Sequence, residues 1–325
     1  MSVLVTGVSG LVGVAAAAAL LKRGATVVGL SRNGLSAMAR KKLASHSFRE
    51  ERGDVRDFDG LMRLGRAHAF TQIIHAAGVA GSSKAASDPL EMVTTNLLGI
   101  ANVLEAGRRL GVSRIVYTSS SAVYGPRPDG RPIREEEVSP RSQYGELKWM
   151  GEVLAARYRQ DFGLDTVIAR LFSVYGPFQK PGGLDVGYGV VHYLCSAAVA
   201  GRPLHLPSAG TYHRGYTFVD DVADGLCRLL FAARLSHSVY NIASGRSYTL
   251  AELADAIRKL IPEADIEVGS GLWEGGPPSA TLRGALDITR ARQDLDFEPS
   301  YTLEEGIGLF IEHLRRAGIS QHGAA

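Results

Sequence analysis

The sequence predicts an α/β protein: a doubly wound parallel sheet, followed by a smaller α/β region toward the C-terminus. Three observations predict it. Short apolar runs alternate with longer helical patterns through the first half of the 325 residues. Those runs are apolar at nearly every position, not at every second one. A glycine-rich turn joins the first run to the first helical pattern. Strands read this way when helices cover both faces of a parallel sheet.

The elements follow in order. "VLVT" (3–6) is a strand, 11–23 a helix and "ATVVGL" (25–30) a second strand. "TQIIHAAG" (71–78) is a buried strand running into a small-residue loop, and 89–110 is a helix. "SRIVYTSSS" (113–121) is a strand that ends in hydroxyls, followed by a helix over 144–162 and the strand "DTVIARLF" (165–172). Beyond about residue 175 the pattern changes. A Gly/Pro-rich loop, "GPFQKPGGLDVGYG" (176–189), precedes a helical stretch. "GYTFVDDVADGLCRLLFAA" (215–233) reads as a strand leading into a helix, and "VYNIAS" (239–244) as another strand. This divides the chain into residues 1–175, with about 215–245 returning to that part, and a region formed mainly by 176–325.

Composition narrows the function classes. The chain is 45% hydrophobic and 21% charged, with a formal net charge of +3 and no long basic run, which argues against nucleic acid as the partner. The apolar stretch "LVGVAAAAALL" (11–21) is too short to span a bilayer. Cys195 and Cys227 lack metal-ligand spacing, and no secretory signal precedes the first strand, so two reduced thiols in a cytoplasmic protein are expected, with no metal.

"TGVSGLVG" (6–13) sets Gly7, Gly10 and Gly13 between the first strand and first helix. Glycines there permit a tight turn, close approach of a pyrophosphate and close packing of helix on sheet. The free N–H groups of the helix start complete a phosphate cradle, so Gly7, Ser9, Gly10, Leu11, Val12 and Gly13 are candidate dinucleotide contacts. At the end of the second strand, where an acidic residue would bind ribose hydroxyls, stand Ser31 and Arg32. A missing carboxylate with an adjacent guanidinium leans toward NADP over NAD.

"YGELK" (144–148) places Tyr144 and Lys148 one helical turn apart, on one face. A free phenol titrates near 10 and is a poor base at neutral pH, but a neighbouring ammonium favours the phenolate. One of Ser119, Ser120 and Ser121, at a strand C-terminus, is placed to donate to the same substrate oxygen. Tyr144, Lys148 and that serine are the candidate catalytic set.

With "GDVRD" (53–57), "HAAG" (75–78), "TNLLGIANVLEA" (95–106), "YTSSSAVYG" (117–125), "RLFSVYGP" (170–177), "RGYTFVDDVADG" (214–225) and "YNIASG" (240–245), the chain resembles the extended class of the short-chain dehydrogenase/reductase superfamily, from residue 2 to about 310. The order and spacing of the motifs carry the resemblance. It implies a Rossmann-type domain with a substrate-binding region after it, and a homodimer paired through helices 89–110 and 144–162. It also implies that Asp54 and Val55 lie at the adenine, that Ala76, Ala77 and Gly78 line the dinucleotide with Tyr144 and Lys148 against it, that Asn96 is a further dinucleotide residue that braces the sheet beside the site, and that Ser120, by its spacing before "VYG", is the serine of the catalytic set. Without the resemblance, Asp54 reads as a helix cap and Asn96 as a buried hydrogen-bonding residue.

The same resemblance bears on the reaction. Sugar dehydratases and decarboxylases of this class carry Asp-Glu or Ser-Glu before "VYG", where this chain has Ser121 and Ala122, so elimination is disfavoured. Arg214 matches an arginine that binds the diphosphate of a nucleotide sugar; its alternative reading is an ion pair with Asp220 or Asp221. Three departures stand against that pocket. Ser173 replaces an asparagine, Ala85 a serine, and Pro277 a second arginine, although Arg283 lies nearby. The leading expectation is a nucleotide-sugar 4-epimerase binding substrate at Ser120, Ser173 and Arg214. An NADP-linked sugar or ketone reductase is the alternative, and a non-catalytic dinucleotide-binding regulator a third reading.

Overall fold

The structure is a computed structural model that describes residues 1–80, 87–127, 130–180, 189–272 and 283–318. Seven strands form one sheet. They are β1 (Ser2–Thr6), β2 (Thr26–Ser31), β3 (Phe48–Arg52), β4 (Gln72–His75), β5 (Arg114–Ser120), β6 (Thr166–Leu171) and β7 (Val239–Ile242). Their spatial order is β7-β6-β5-β4-β1-β2-β3, every pair parallel. The chain builds outward from β1 in one direction to β3, then in the other from β4 to β7. The connections therefore diverge between β1 and β4, and a crevice opens at their C-terminal ends.

Helices cover both faces, which is why β1, β4 and β6 are buried along nearly their whole length. Helix α1 (Leu11–Lys22) and helix α8 (Val219–Phe231) pack on each other over one face. There Val3, Val5, Val14, Leu20, Leu226 and Leu230 form a common core. The other face carries α3 (Phe58–His68), α5 (Gly99–Leu110) and α6 (Gln143–Phe162), around Leu4, Leu104, Ile115 and Ile168. The short α2 (Ala37–Lys42) precedes β3.

The helix expected over 89–110 is continuous but not uniform. It comprises α4 (Pro89–Val93), a π-helical turn (Thr94–Leu98) and α5. A π turn inserts an extra residue into the helical ladder and re-aims the side chains around it, and such turns often sit at functional positions. Here the turn contains Asn96.

A separate core joins α7 (Val190–Val199), α9 (Leu250–Leu260) and α11 (Leu303–Arg316), with Leu194, Leu253, Ile257 and Phe310 at its centre. The parallel pair Leu204–Leu206 and Ile266–Val268 flanks them. A last helix, α10 (Thr289–Leu295), lies against β7. Helix α8 packs on α1, and β7 pairs with β6 as the edge strand of the main sheet. Among the described residues no helix is long and apolar enough to cross a membrane.

Candidate active site

A cavity of about 710 Å³ lies at the C-terminal ends of β1, β2, β4, β5 and β6, within the range of small-molecule sites. Its first wall is the turn from β1 into α1. Gly7 has φ +71°, and a Cβ on Gly13 would lie 2.2 Å from the Gly7 carbonyl oxygen, so α1 can start this close to the turn only with glycine at 13. No side chain caps the helix, and its first turn has no acidic residue. The N–H groups at Leu11, Val12 and Gly13 therefore stay open to an anion. Gly7, Ser9 and Gly10 line the same wall.

β2 ends at Ser31, 5% exposed, whose hydroxyl has no hydrogen-bond partner among the described residues. An orphaned buried hydroxyl beside a bare helix N-terminus fits the ribose and pyrophosphate of a dinucleotide. Arg32 lines the cavity as expected but is not presented to it as a lone cation: its Nη1 donates to Glu91 Oε1 at 2.9 Å. Asp54 and Val55 lie on the same wall. Asp54 accepts from the Arg56 backbone at 2.9 Å and from its guanidinium at 2.6 Å. Burial raises its pKa and the Arg56 contacts lower it more, leaving it below the ordinary aspartate value. The cap of α3 is Asp57, not Asp54.

The loop after β4 brings Ala76, Ala77 and Gly78 to the cavity. Asn96 holds that loop from behind. Its Oδ1 accepts from the Val79 N–H at 2.7 Å, and its Nδ2 donates to the Val79 carbonyl at 2.8 Å. Of the residues assigned to the dinucleotide, Asn96 alone is placed off the cavity wall, because the π turn points it at the loop backbone. Thr6 steadies the same loop, accepting from the Ala77 N–H and meeting His75 Nδ1 at 2.7 Å. Burial, and then the charge of Lys148, push the His75 pKa down to about 3.

β5 and α6 bring the candidate catalytic groups together. Ser142 caps α6 by accepting from the Gly145 N–H. A Cβ on Gly145 would lie 2.5 Å from the Ala122 carbonyl oxygen, so glycine there lets the first turn of α6 sit against the end of β5. Tyr144 and Lys148 line the cavity with Ser120, and Lys148 Nζ is 6.0 Å from the centroid of the Tyr144 ring. Lys148 is 5% exposed and donates to the Thr118 carbonyl at 2.8 Å, over the Tyr117 ring. Burial pulls its pKa from 10.5 down to about 8, against the opposing charge of Glu152. The Ser120 hydroxyl accepts from the Ala122 N–H at 3.2 Å, which holds it at the cavity rim. Behind these groups lies a buried network that the sequence did not reveal. Ser119 donates to Glu152, which pairs with Arg170 at 2.6 Å, and Arg170 donates to Tyr124 at 3.0 Å.

The far end of the cavity is cationic. Arg214 is 4% exposed; its Nε donates to Ser173 Oγ at 2.7 Å, and its Nη1 donates to the Tyr212 hydroxyl. Asp221 accepts instead from the Ser300 and Tyr301 N–H groups, so the alternative ion pair with Arg214 is not formed there. Arg283, 7% exposed, donates to the Gly125 carbonyl at 2.8 Å. Burial and then the neighbouring Arg214 push its pKa down. Among the described residues neither guanidinium has a carboxylate partner, so the pair favours a bound anion. Arg283 was noted in the sequence only as a nearby arginine. Ala85 and Pro277 lie outside the described residues.

The profile of the NAD dependent epimerase/dehydratase family matches residues 3–243. UDP-glucose 4-epimerase of Mycolicibacterium smegmatis is 33% identical, over 97% of this chain and 99% of that one. UDP-glucuronic acid decarboxylase 5 of Arabidopsis thaliana is 32% identical over 77% of this chain and 72% of its own length. The crystal structure of UDP-glucose 4-epimerase of Thermus thermophilus in complex with NAD superposes with a TM-score of 0.84 at 30% identity, covering 98% of this chain and all of the other.

Proposed function

The chain belongs to the NAD dependent epimerase/dehydratase family, and on that premise we propose that it is a nucleotide-sugar 4-epimerase that uses NAD. One observation carries the reading: Ser120, Tyr144 and Lys148 share a cavity with two buried arginines, while position 122 is alanine. Bound NAD would supply a hydride acceptor at one carbinol carbon and return the hydride to it.

The chain's own groups handle the proton and the substrate. Tyr144, as phenolate, takes the hydroxyl proton while the carbinol is oxidised and gives it back on re-reduction. The Lys148 ammonium holds the phenolate form, and Ser120 donates to the same substrate oxygen. Arg214, steadied by Ser173, and Arg283 hold the diphosphate, so a keto sugar can turn over without leaving. Gly7 to Gly13, Ser31, Asp54, Val55 and Ala76 to Gly78 bind the dinucleotide.

Ala122 supports epimerisation over decarboxylation. A methyl group in the place expected for an acid cannot move a further proton. The engagement of Arg32 by Glu91 supports NAD over NADP. In this proposal residues 1–175 form the dinucleotide half, with about 215–245 returning to it, and 176–325 mainly bind substrate. Two buried free thiols fit the expected cytoplasmic setting. An exposed apolar stripe on α6 fits a homodimer.

The test offers UDP-glucose and UDP-glucuronate to the purified protein and separates the products by chromatography. We expect the 4-epimer of one of them, no net redox change, and about one NAD per chain released on denaturation. Loss of carbon dioxide would make the protein a decarboxylase. Stoichiometric consumption of NADP would make it a reductase.

A further inference from the structure

The adenosine end of the cavity carries a charge pattern that the reaction does not use. Arg32 follows β2, and Glu91 belongs to α4, yet their side chains meet at 2.9 Å. Beside them Asp54 pairs with Arg56 at 2.6 Å. The carboxylates of Glu91 and Asp88 also act on Arg56, and Arg32 acts on Asp54. Among the described residues this rim sets two cations, Arg32 and Arg56, against three carboxylates, Asp54, Asp88 and Glu91. The neutral Ser31 hydroxyl lies buried at its inner edge.

We propose that Glu91, by holding Arg32 from across the rim, is a specificity-determining residue that excludes a dinucleotide bearing a 2′-phosphate. The phosphate would have to displace a carboxylate from the guanidinium and then sit beside it. A ribose hydroxyl needs only a partner such as Ser31. Discrimination of this kind comes from a repulsive group set against the competitor, not from an added attraction to the preferred ligand. It also explains why an arginine directly after β2 does not by itself make a phosphate site. The α4 cap does not depend on the Glu91 carboxylate, because the Glu91 N–H donates to Asp88 Oδ1 at 3.0 Å whatever its side chain.

The inference rests on the dinucleotide reading and not on the sugar reaction, and its test separates the two. The full-length protein, Glu91→Gln and Glu91→Gln/Arg32→Ala are each equilibrated with equal NAD and NADP until the retained ratio is constant. Free dinucleotide is then removed, the protein denatured, and the released cofactors quantified by mass spectrometry. The wild type retains NAD. Glu91→Gln shifts the ratio about tenfold toward NADP, as expected when a freed guanidinium gains charge-assisted hydrogen bonds to phosphate. The double variant loses that gain. An unchanged ratio in Glu91→Gln, or a gain that persists without Arg32, overturns the proposal. Retention of neither dinucleotide by the wild type overturns the dinucleotide reading itself, and this inference with it.

Discussion

At the scale of single residues, the proposed chemistry concentrates on Tyr144 and Lys148. Tyr144→Phe keeps the ring and removes the proton carrier. We expect turnover to fall by roughly 10²- to 10⁴-fold, the usual worth of a positioned acid/base, with dinucleotide still bound. Wild-type turnover in that variant would sink the assignment and revive a non-catalytic role. Lys148 gives the reaction a pH signature. Burial lowers its pKa to about 8, so it is an ammonium below that value and neutral above it. Support for the phenolate is therefore lost as pH rises, and turnover should decline through about pH 8. Lys148→Arg, which stays charged, should move that limb upward if it remains active. Their spacing was legible in five letters of sequence, because helical periodicity fixes it locally, while their candidate role needed "YTSSSAVYG" upstream as well. Arg283 was not legible in that way. Its place beside Gly125 comes from long-range pairing, in which Ile133 bridges Leu286 and the Ile133 N–H donates to the Ala285 carbonyl. No local periodicity encodes such a contact. The cation Arg32 was visible too, but the carboxylate that engages it is 59 positions away.

At the scale of elements, the β1–α1 turn assigns its glycines different tasks, and substitution separates them. Gly13→Ala would drive a methyl group against the Gly7 carbonyl and the Val8 backbone. We expect a stability loss of about 1–3 kcal/mol, typical of overpacking, read as a lower denaturant midpoint. Gly10 has φ −91° and ψ 166°, a conformation open to any residue, and its Cβ would meet only the Gly7 oxygen at 3.3 Å. Gly10→Ala should fold normally and bind dinucleotide more weakly. The reverse pattern would refute the division of roles. The glycine spacing announced this turn in the sequence, whereas β3 was overlooked. Its sequence, "FREER", is charged, and three of its five residues are half-buried. A sheet-edge strand needs no apolar run, so hydrophobic pattern gives no sign of it. The π turn at Thr94–Leu98 was equally hidden, since an extra residue in a helix leaves no compositional trace.

At the scale of the whole molecule, the helices over the sheet leave an apolar stripe in solvent. Trp149, Met150 and Val153 of α6 are 36%, 48% and 44% exposed, and Leu98, 45% exposed, belongs to the π turn before α5. On α6, spacings of three and four residues put these side chains on one face. If the proposed homodimer forms there, sedimentation should report a dimer for the wild type and a monomer for Val153→Glu, which would bury an unpaired carboxylate. A wild-type monomer at micromolar concentration would refute the dimer. Six of the seven strands of the parallel sheet were legible because their runs are mostly apolar. Much of the second half was not, since strands such as His213–Arg214 and Tyr248–Thr249 are two residues long and have no period to read. The edge strand β7 arrives from residues 239–242, after the chain has already entered the other core. The sheet is thus completed by a segment that the second region must deliver. A hybrid joining residues 1–175 to an unrelated partner would inherit six strands, with β6 lacking β7 on its outer side and α1 lacking α8. The two parts cannot be exchanged as cassettes, so a change of substrate in this architecture has to come through altered side chains and loops, with the second half kept in place.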